Sequence, residues 1–175
     1  MRAPSRYRPR VVTLRDGRQV TLRAIEPGDK GEIAQAFERL SAESRYLRFM
    51  QHKKALDPAV VDRGVHPVPG REYAFVATVP SDDGFDIVGG ARYVDAGRPE
   101  TCEFAITVVD EWTKRGLGTA LLRSLMRRAK YDGYRTMEGV VLAANEAMLA
   151  LARHLRFEVV AQADDPKVVL VRRAL

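Results

Sequence analysis

The chain has 175 residues, 46% hydrophobic and 30% charged, with a net charge of +6 and a single cysteine. That length predicts one domain with a substantial core. No apolar run reaches membrane-spanning length, and one cysteine excludes an intrachain disulfide and suits a reducing cytoplasm. The pI near 9.7 suits polyanionic ligands, either a phosphate-bearing small molecule or nucleic acid.

Residues 1–10 form a basic tail carrying Arg2, Arg6, Arg8 and Arg10, and the start leads into no apolar signal core. Val11 to Leu14 and Val20 to Ile25 flank Arg15-Asp16-Gly17-Arg18, a hairpin signal. Asp29 with Glu32 three residues on predicts a capped first helix, whose buried stripe is Ile33, Ala36, Phe37 and Leu40. Ser41 caps a second short helix through Tyr46, Leu47 and Phe49, and Leu56 to Val61 reads as a third. Glu72 to Val79, Asp86 to Val94 and Thr101 to Val109 are strands at hairpin spacing, hence an antiparallel meander.

The stretch from Glu103 to Lys130 organises the rest. An apolar strand ends at Asp110-Glu111, a loop with Gly116 and Gly118 follows, and a helix opens directly. Leu117, Ala120, Leu121, Leu125 and Ala129 recur on one helical face, with Arg123, Arg127 and Lys130 off it. A glycine turn opening a helix is a phosphate-binding device, because free N–H groups and the helix dipole meet an anion that glycine lets approach. The loop lacks the Gly-Lys-Ser/Thr of a P-loop and the third glycine of a dinucleotide fingerprint. Next come a strand (Thr136 to Leu142), a helix opened by Asn145 with Met148, Leu151, Ala152 and Leu155 on its stripe, and strands near Phe157 to Ala161 and Lys167 to Val171.

Alternation places Glu103, Ala105 and Thr107 on one face of the central strand and Phe104, Ile106 and Val108 on the other. A glutamate opening an apolar strand is either a solvated strand end or a base in a cleft, and in a cleft its apolar neighbours should desolvate it. Cys102, in the same strand, reads as a small core residue. His52, His66 and His154 show no metal-ligand spacing, so no metal is expected.

Thr113-Lys114-Arg115-Gly116-Leu117-Gly118 resembles the acetyl-CoA loop of the GNAT family of N-acetyltransferases, Q/R-x-x-G-x-G/A, with threonine at the first position. Val141 to Phe157 is similar to the closing strand, Asn, helix and Leu-Gly-Phe of that family, with Arg156 where glycine is usual. Leu22 to Asp29 and Leu40 to Phe49 resemble the domain of bacterial Pat-type protein lysine acetyltransferases. The resemblance runs from Val20 to the C-terminus, with residues 11–175 as the domain.

That resemblance implies an α/β (α+β) fold, one mixed and mostly antiparallel sheet of about seven strands with helices on both faces. It implies acetyl-CoA as co-substrate and direct acetyl transfer to a primary amine, a protein lysine by the Pat likeness. Glu103 would be the general base, with Glu138 as the alternative. The backbone of Ile106, Thr107 and Val108 would bind pantetheine like an added strand. Lys114, Arg115, Gly116, Leu117, Gly118 and Thr119 would wrap the pyrophosphate, and Asn145 would reach the pantetheine. Ala152 stands where many relatives place a tyrosine acid. Three rival readings stay open: an acyl-CoA sensor without turnover, a small-amine acetyltransferase, and, on charge alone, a nucleic-acid binder lacking aromatic platforms. Acceptor specificity is expected in the loops between Arg45 and Gly70. A cytoplasmic protein without membrane contact, monomeric or homodimeric, fits this reading.

Overall fold

The Asp16-Gly17 turn, with Gly17 at φ 85°, closes a hairpin of β1 (Arg10–Thr13) and β2 (Gln19–Ala24). The structure, a computed structural model, describes residues 7–175, so Arg2 and Arg6 of the basic tail lie outside the described residues. Arg10 already belongs to β1 and donates from Nη2 to Ser124 Oγ at 3.0 Å. Tyr7 packs edge-on against Phe75, with ring centroids 4.5 Å apart.

After β2 the chain turns through a 3₁₀ turn at Pro27–Asp29 into α1 (Lys30–Glu38). Asp29 does not cap α1 as the sequence predicts. Its carboxylate turns back to accept from the Glu26 backbone N–H at 2.8 Å and pairs with Arg23 through both oxygens, at 2.8 and 2.9 Å. Asp29 is buried and a bidentate arginine partner is within reach, which outweighs a cap hydrogen bond. Ser41 does cap α2 (Ala42–Phe49), accepting from Ser44 N at 3.1 Å, and Asp57 caps α3 (Pro58–Gly64).

The meander is β3 (Glu72–Ser81), β4 (Gly84–Asp95) and β5 (Thr101–Val108), antiparallel throughout. Then follow α4 (Leu117–Tyr131), β6 (Thr136–Leu142), α5 (Glu146–His154), β7 (Glu158–Ala161) and β8 (Val168–Ala174). One eight-stranded sheet results, in the order β1-β2-β3-β4-β5-β6-β8-β7, and only the β5–β6 pairing is parallel. Of the predicted stripe of α4, Leu117, Leu121, Leu125 and Ala129 are buried and Ala120 is half-buried, with Leu122, Ser124 and Met126 widening it. Alternation sends Phe104 and Tyr93 to the α4 side of the sheet. It sends Glu103, Ala105, Thr107 and their β4 partners Val94, Arg92 and Gly90 to the α1–α3 side. Arg156 adopts φ 62°, so a residue with a Cβ takes on a left-handed turn where the family resemblance leads one to expect glycine.

The joint between the two halves of the sheet positions everything else. β5 and β6 share only three register pairs, Thr101–Thr136, Cys102–Met137 and Glu103–Glu138, whereas β6 pairs with β8 along its whole length. Beyond Glu103 the two strands diverge, and the Phe104 ring lies across Gly139. A Cβ on Gly139 would stand 2.7 Å from Phe104 Cε1. Gly139→Ala is therefore expected to cost about 1–3 kcal/mol of stability, because the ring must shift within a filled core also held by Phe157. Chemical denaturation gives that number directly.

Candidate active site

Divergence of β5 from β6 leaves the β5 edge from residue 104 to 108 without a ladder partner among the described residues. Buried backbone donors and acceptors are rarely left unpaired. An open edge inside a sheet is a slot for an extended chain that supplies the missing hydrogen bonds. The slot opens into a cleft of about 830 Å³, with β5 from Glu103 to Val108 on one wall and Val140 and Val141 of β6 on the other. Ala147, Met148, Ala150, Leu151 and His154 of α5 close one side, and Ser44, Leu47, Arg48 and Met50 of the α2 segment another.

The end of the cleft beyond Val108 is the glycine loop. Gly116 takes φ 90° and precedes α4, and Lys114 also has positive φ at 59°. Thr113, Lys114, Gly116, Gly118 and Thr119 line the cleft. The free N–H groups of the first turn of this 15-residue helix give that end of the cleft a positive potential. Two of the loop residues singled out by sequence do not face it. Leu117 is buried in the core, and Arg115 is occupied with Asp16 Oδ2 at 2.8 Å and the Glu111 carbonyl at 3.1 Å.

That ion pair brings in a residue the sequence reading passed over as hairpin. The Arg15 N–H donates to the Arg115 carbonyl at 3.1 Å, so the β1–β2 hairpin tip docks on the glycine loop and Arg15 lines the cleft beside Gly116. Arg18, from the same hairpin, stacks on Trp112 at 3.9 Å. Nothing in the local pattern of the hairpin announces a contact 100 residues away.

Glu103 lies at the last paired position before the strands part, and it is the only acidic residue lining the cleft. It is exposed, contrary to the desolvation expected of it: the apolar residues of the walls do not cover its side chain. Glu138, the alternative base, is unsuitable. It is 3% exposed, absent from the cleft wall, and held by Arg98 and by Arg172 at 3.1 Å. Two guanidinium groups engage both of its oxygens and leave neither free for a substrate.

Asn145 lines the cleft as expected, but its Oδ1 caps α5 by accepting from Met148 N at 3.1 Å. Its amide N–H groups and one oxygen lone pair remain for a ligand. Ala152 is fully buried, so no side chain there would reach the cleft without rebuilding the core; His154 is the ionisable residue α5 presents. Cys102 is buried and its thiol is pushed up to about 12 by desolvation, as suits a core residue and not a nucleophile.

The α2 side carries the least expected feature. Arg48 points to the sheet and donates from Nε to Thr107 Oγ1 at 2.9 Å, with its guanidinium 4.8 Å from the Phe49 ring. Desolvation, with Arg92 nearby, pushes it down to about 10, so it stays charged at neutral pH at a cost. A cation with a lowered folded-state pKa destabilises the fold at every pH below that value. The penalty fades only as pH rises from about 10 toward the ordinary arginine range. Arg48→Met keeps the stem and removes the charge. It is expected to raise the thermal midpoint of the ligand-free protein by a few degrees at neutral pH, about 1 kcal/mol.

Comparisons with known proteins agree with this geometry. The acetyltransferase (GNAT) domain profile matches residues 19–158. The chain belongs to the GNAT acetyltransferase family. It is 35% identical over 165 residues to acetyltransferase PA5475 of Pseudomonas aeruginosa, covering 94% of this chain and 89% of that one. A second P. aeruginosa relative, L-methionine sulfoximine/L-methionine sulfone acetyltransferase, is 34% identical over 88 residues, 48% of this chain and 51% of its own. The GNAT domain of S. lividans PAT superposes with a TM-score of 0.87 at 26% identity, covering 95% of this chain and 97% of that one. This GNAT chain is thus an N-acetyltransferase, and its acetyl donor is acetyl-CoA.

Proposed function

We propose that the protein transfers the acetyl group of acetyl-CoA directly to a primary amine, with Glu103 as general base and no covalent enzyme intermediate. The observation that carries this is the open β5 edge running from Glu103 to the glycine loop. Pantetheine laid along Ile106 to Val108 places its pyrophosphate at the first turn of α4 and its thioester beside Glu103. A backbone N–H of that edge polarises the thioester carbonyl. Lys114, Gly116, Gly118 and Thr119 surround the pyrophosphate, with Arg15 added to them. An amine acceptor such as lysine, with a reference pKa of about 10.4, arrives protonated and must lose a proton before attack. Glu103 takes that proton directly or through water. The nitrogen then bonds to the carbonyl carbon and gives its second proton to water, the C–S bond breaks, and the CoA thiolate leaves with a proton from water.

The Pat likeness supports a protein lysine as acceptor, and the methionine sulfone acetyltransferase likeness supports a small amino compound. Thiol release from acetyl-CoA against a panel of peptides, proteins and small amines tests the reading. Turnover with any amine supports it. Tight acetyl-CoA binding without release against every acceptor would instead leave an acyl-CoA sensor.

A further inference from the structure

Arg48 and Arg92 stand together on the acceptor side of the sheet, and among the described residues neither has a hydrogen-bonded anionic partner; Arg92 keeps only a longer ion pair with Glu72. Arg48 comes from α2, and its only hydrogen-bond partner among the described residues is the neutral Thr107 hydroxyl. Both of its Nη groups remain available. Arg92 comes from β4, opposite Ala105, and its nearest carboxylate oxygen, Glu72 Oε2, is 3.8 Å from Nη2, outside hydrogen-bond range. Burial lowers both guanidinium groups from the ordinary arginine range. Cations withdrawn from water without a hydrogen-bonded counter-ion are costly, and a fold keeps them where an incoming anion supplies the missing partner.

The surroundings define that anion. Arg48 borders both the main cleft and a second, apolar chamber of about 210 Å³, which Arg92 also lines beside Phe37, Phe49, Val60 and Val61. Leu40, Ala105 and Thr107 line both cavities, so the two adjoin. Glu103, Ala105 and Thr107 follow each other on one face of β5, about 6.7 Å apart at each step. The base and the guanidinium pair are therefore separated by the length of a small molecule.

We propose that this pair is the acceptor's carboxylate site, and that the acceptor is a small amino acid with an apolar body. Its amine meets Glu103 while its carboxylate is forked by Arg48 and Arg92. A planar guanidinium matches a carboxylate through two parallel N–H donors, as a lysine ammonium would not. A protein lysine fits less well, because its nearest carboxylates sit on neighbouring residues of its own chain, outside a chamber of this size.

The proposal rests on the acetyltransferase reading, and two independent measurements separate the two. The first needs no turnover: calorimetry of N-acetyl-5-aminovalerate and N-acetyl-L-methionine binding to the CoA-loaded protein. Wild type is expected to bind at least one of them, and Arg48→Met to bind it roughly 100-fold more weakly, as for loss of a partner in a desolvated charge pair. Arg48→Lys should recover only part. No binding to wild type, or equal binding to wild type and Arg48→Met, overturns the anion site. The second compares kcat/KM for ω-amino acids of three to eight carbons with the matching ω-amino amides, which share the amine and lack the charge. Wild type is expected to favour the acid by roughly 100-fold at the best length, and Arg48→Met to bring the ratio near one. Equal use of acid and amide, or preference for a lysine peptide, overturns the carboxylate site while the acetyltransferase reading stands. Carboxylate binding that Arg48→Met abolishes, with no thiol release for any amine, sustains the anion site and defeats the acetyltransferase reading.

Discussion

Glu103→Gln is expected to leave acetyl-CoA affinity nearly unchanged while lowering turnover roughly 100- to 10,000-fold, the usual range for loss of a general base. The substitution keeps the size and hydrogen-bonding reach of the side chain and removes only its capacity to take a proton. Among the residues lining the cleft no other carboxylate exists to replace it, and Glu138 is locked between Arg98 and Arg172. Without the base, the rate of the variant should follow the unprotonated fraction of the acceptor amine alone. Raising the pH should partly rescue it, because more of the amine then arrives unprotonated. Exposure of Glu103 makes a relay through water the natural geometry, so a modest solvent isotope effect should accompany the wild-type reaction and shrink in the variant. Stopped-flow thiol release with an established acceptor measures all three. Wild-type turnover in Glu103→Gln at neutral pH would return this residue to a solvated strand end.

What the sequence made legible follows the range of the interactions involved. The Asp16-Gly17 hairpin, the Ser41 cap, the meander and the apolar stripe of α4 are specified by residues within one or two turns of each other. Each appeared in the structure where local chemistry puts it. Asp29 was misread because its partner, Arg23, lies on the preceding strand and offers two charged hydrogen bonds against one neutral cap. The divergence of β5 from β6 is a long-range event. It depends on β8 taking the whole of β6 and inserting between β6 and β7, which no window of sequence displays. Glu103, the glycine loop and Asn145 were readable as a motif, whereas their juxtaposition with Arg15 and Arg48 was not. Arginines on a hairpin tip and a helix rim look solvated until the fold turns one to the glycine loop and the other to a strand hydroxyl. A cation that makes the fold less stable but lines a cavity is a better pointer to chemistry than a conventional pattern, because selection for stability alone would remove it.

Gly116→Val is expected to weaken acetyl-CoA binding by roughly 10- to 100-fold, about 1–3 kcal/mol. Two independent costs arise at this position. The residue sits at φ 90°, a conformation that a β-branched side chain reaches only with strain, so the loop would rotate its N–H groups away from the phosphate position. Its Cβ would also stand 3.3 Å from Arg15 Nε, displacing the one cation that the hairpin contributes to this end of the cleft. Gly118 separates the effects, since its φ is ordinary and its Cβ would meet the flexible Leu151 side chain at 3.1 Å and Ile106 at an ordinary 3.9 Å. Gly118→Ala should therefore lose less than Gly116→Ala, and Arg15→Ala should lose affinity without any change in backbone. Salt dependence distinguishes the causes: removing Arg15 lowers the sensitivity of acetyl-CoA binding to ionic strength, whereas straining the Gly116 backbone leaves that sensitivity in place. Calorimetric titration of the four variants at two salt concentrations resolves them. Wild-type affinity in Gly116→Val would mean that the first turn of α4 does not hold the pyrophosphate.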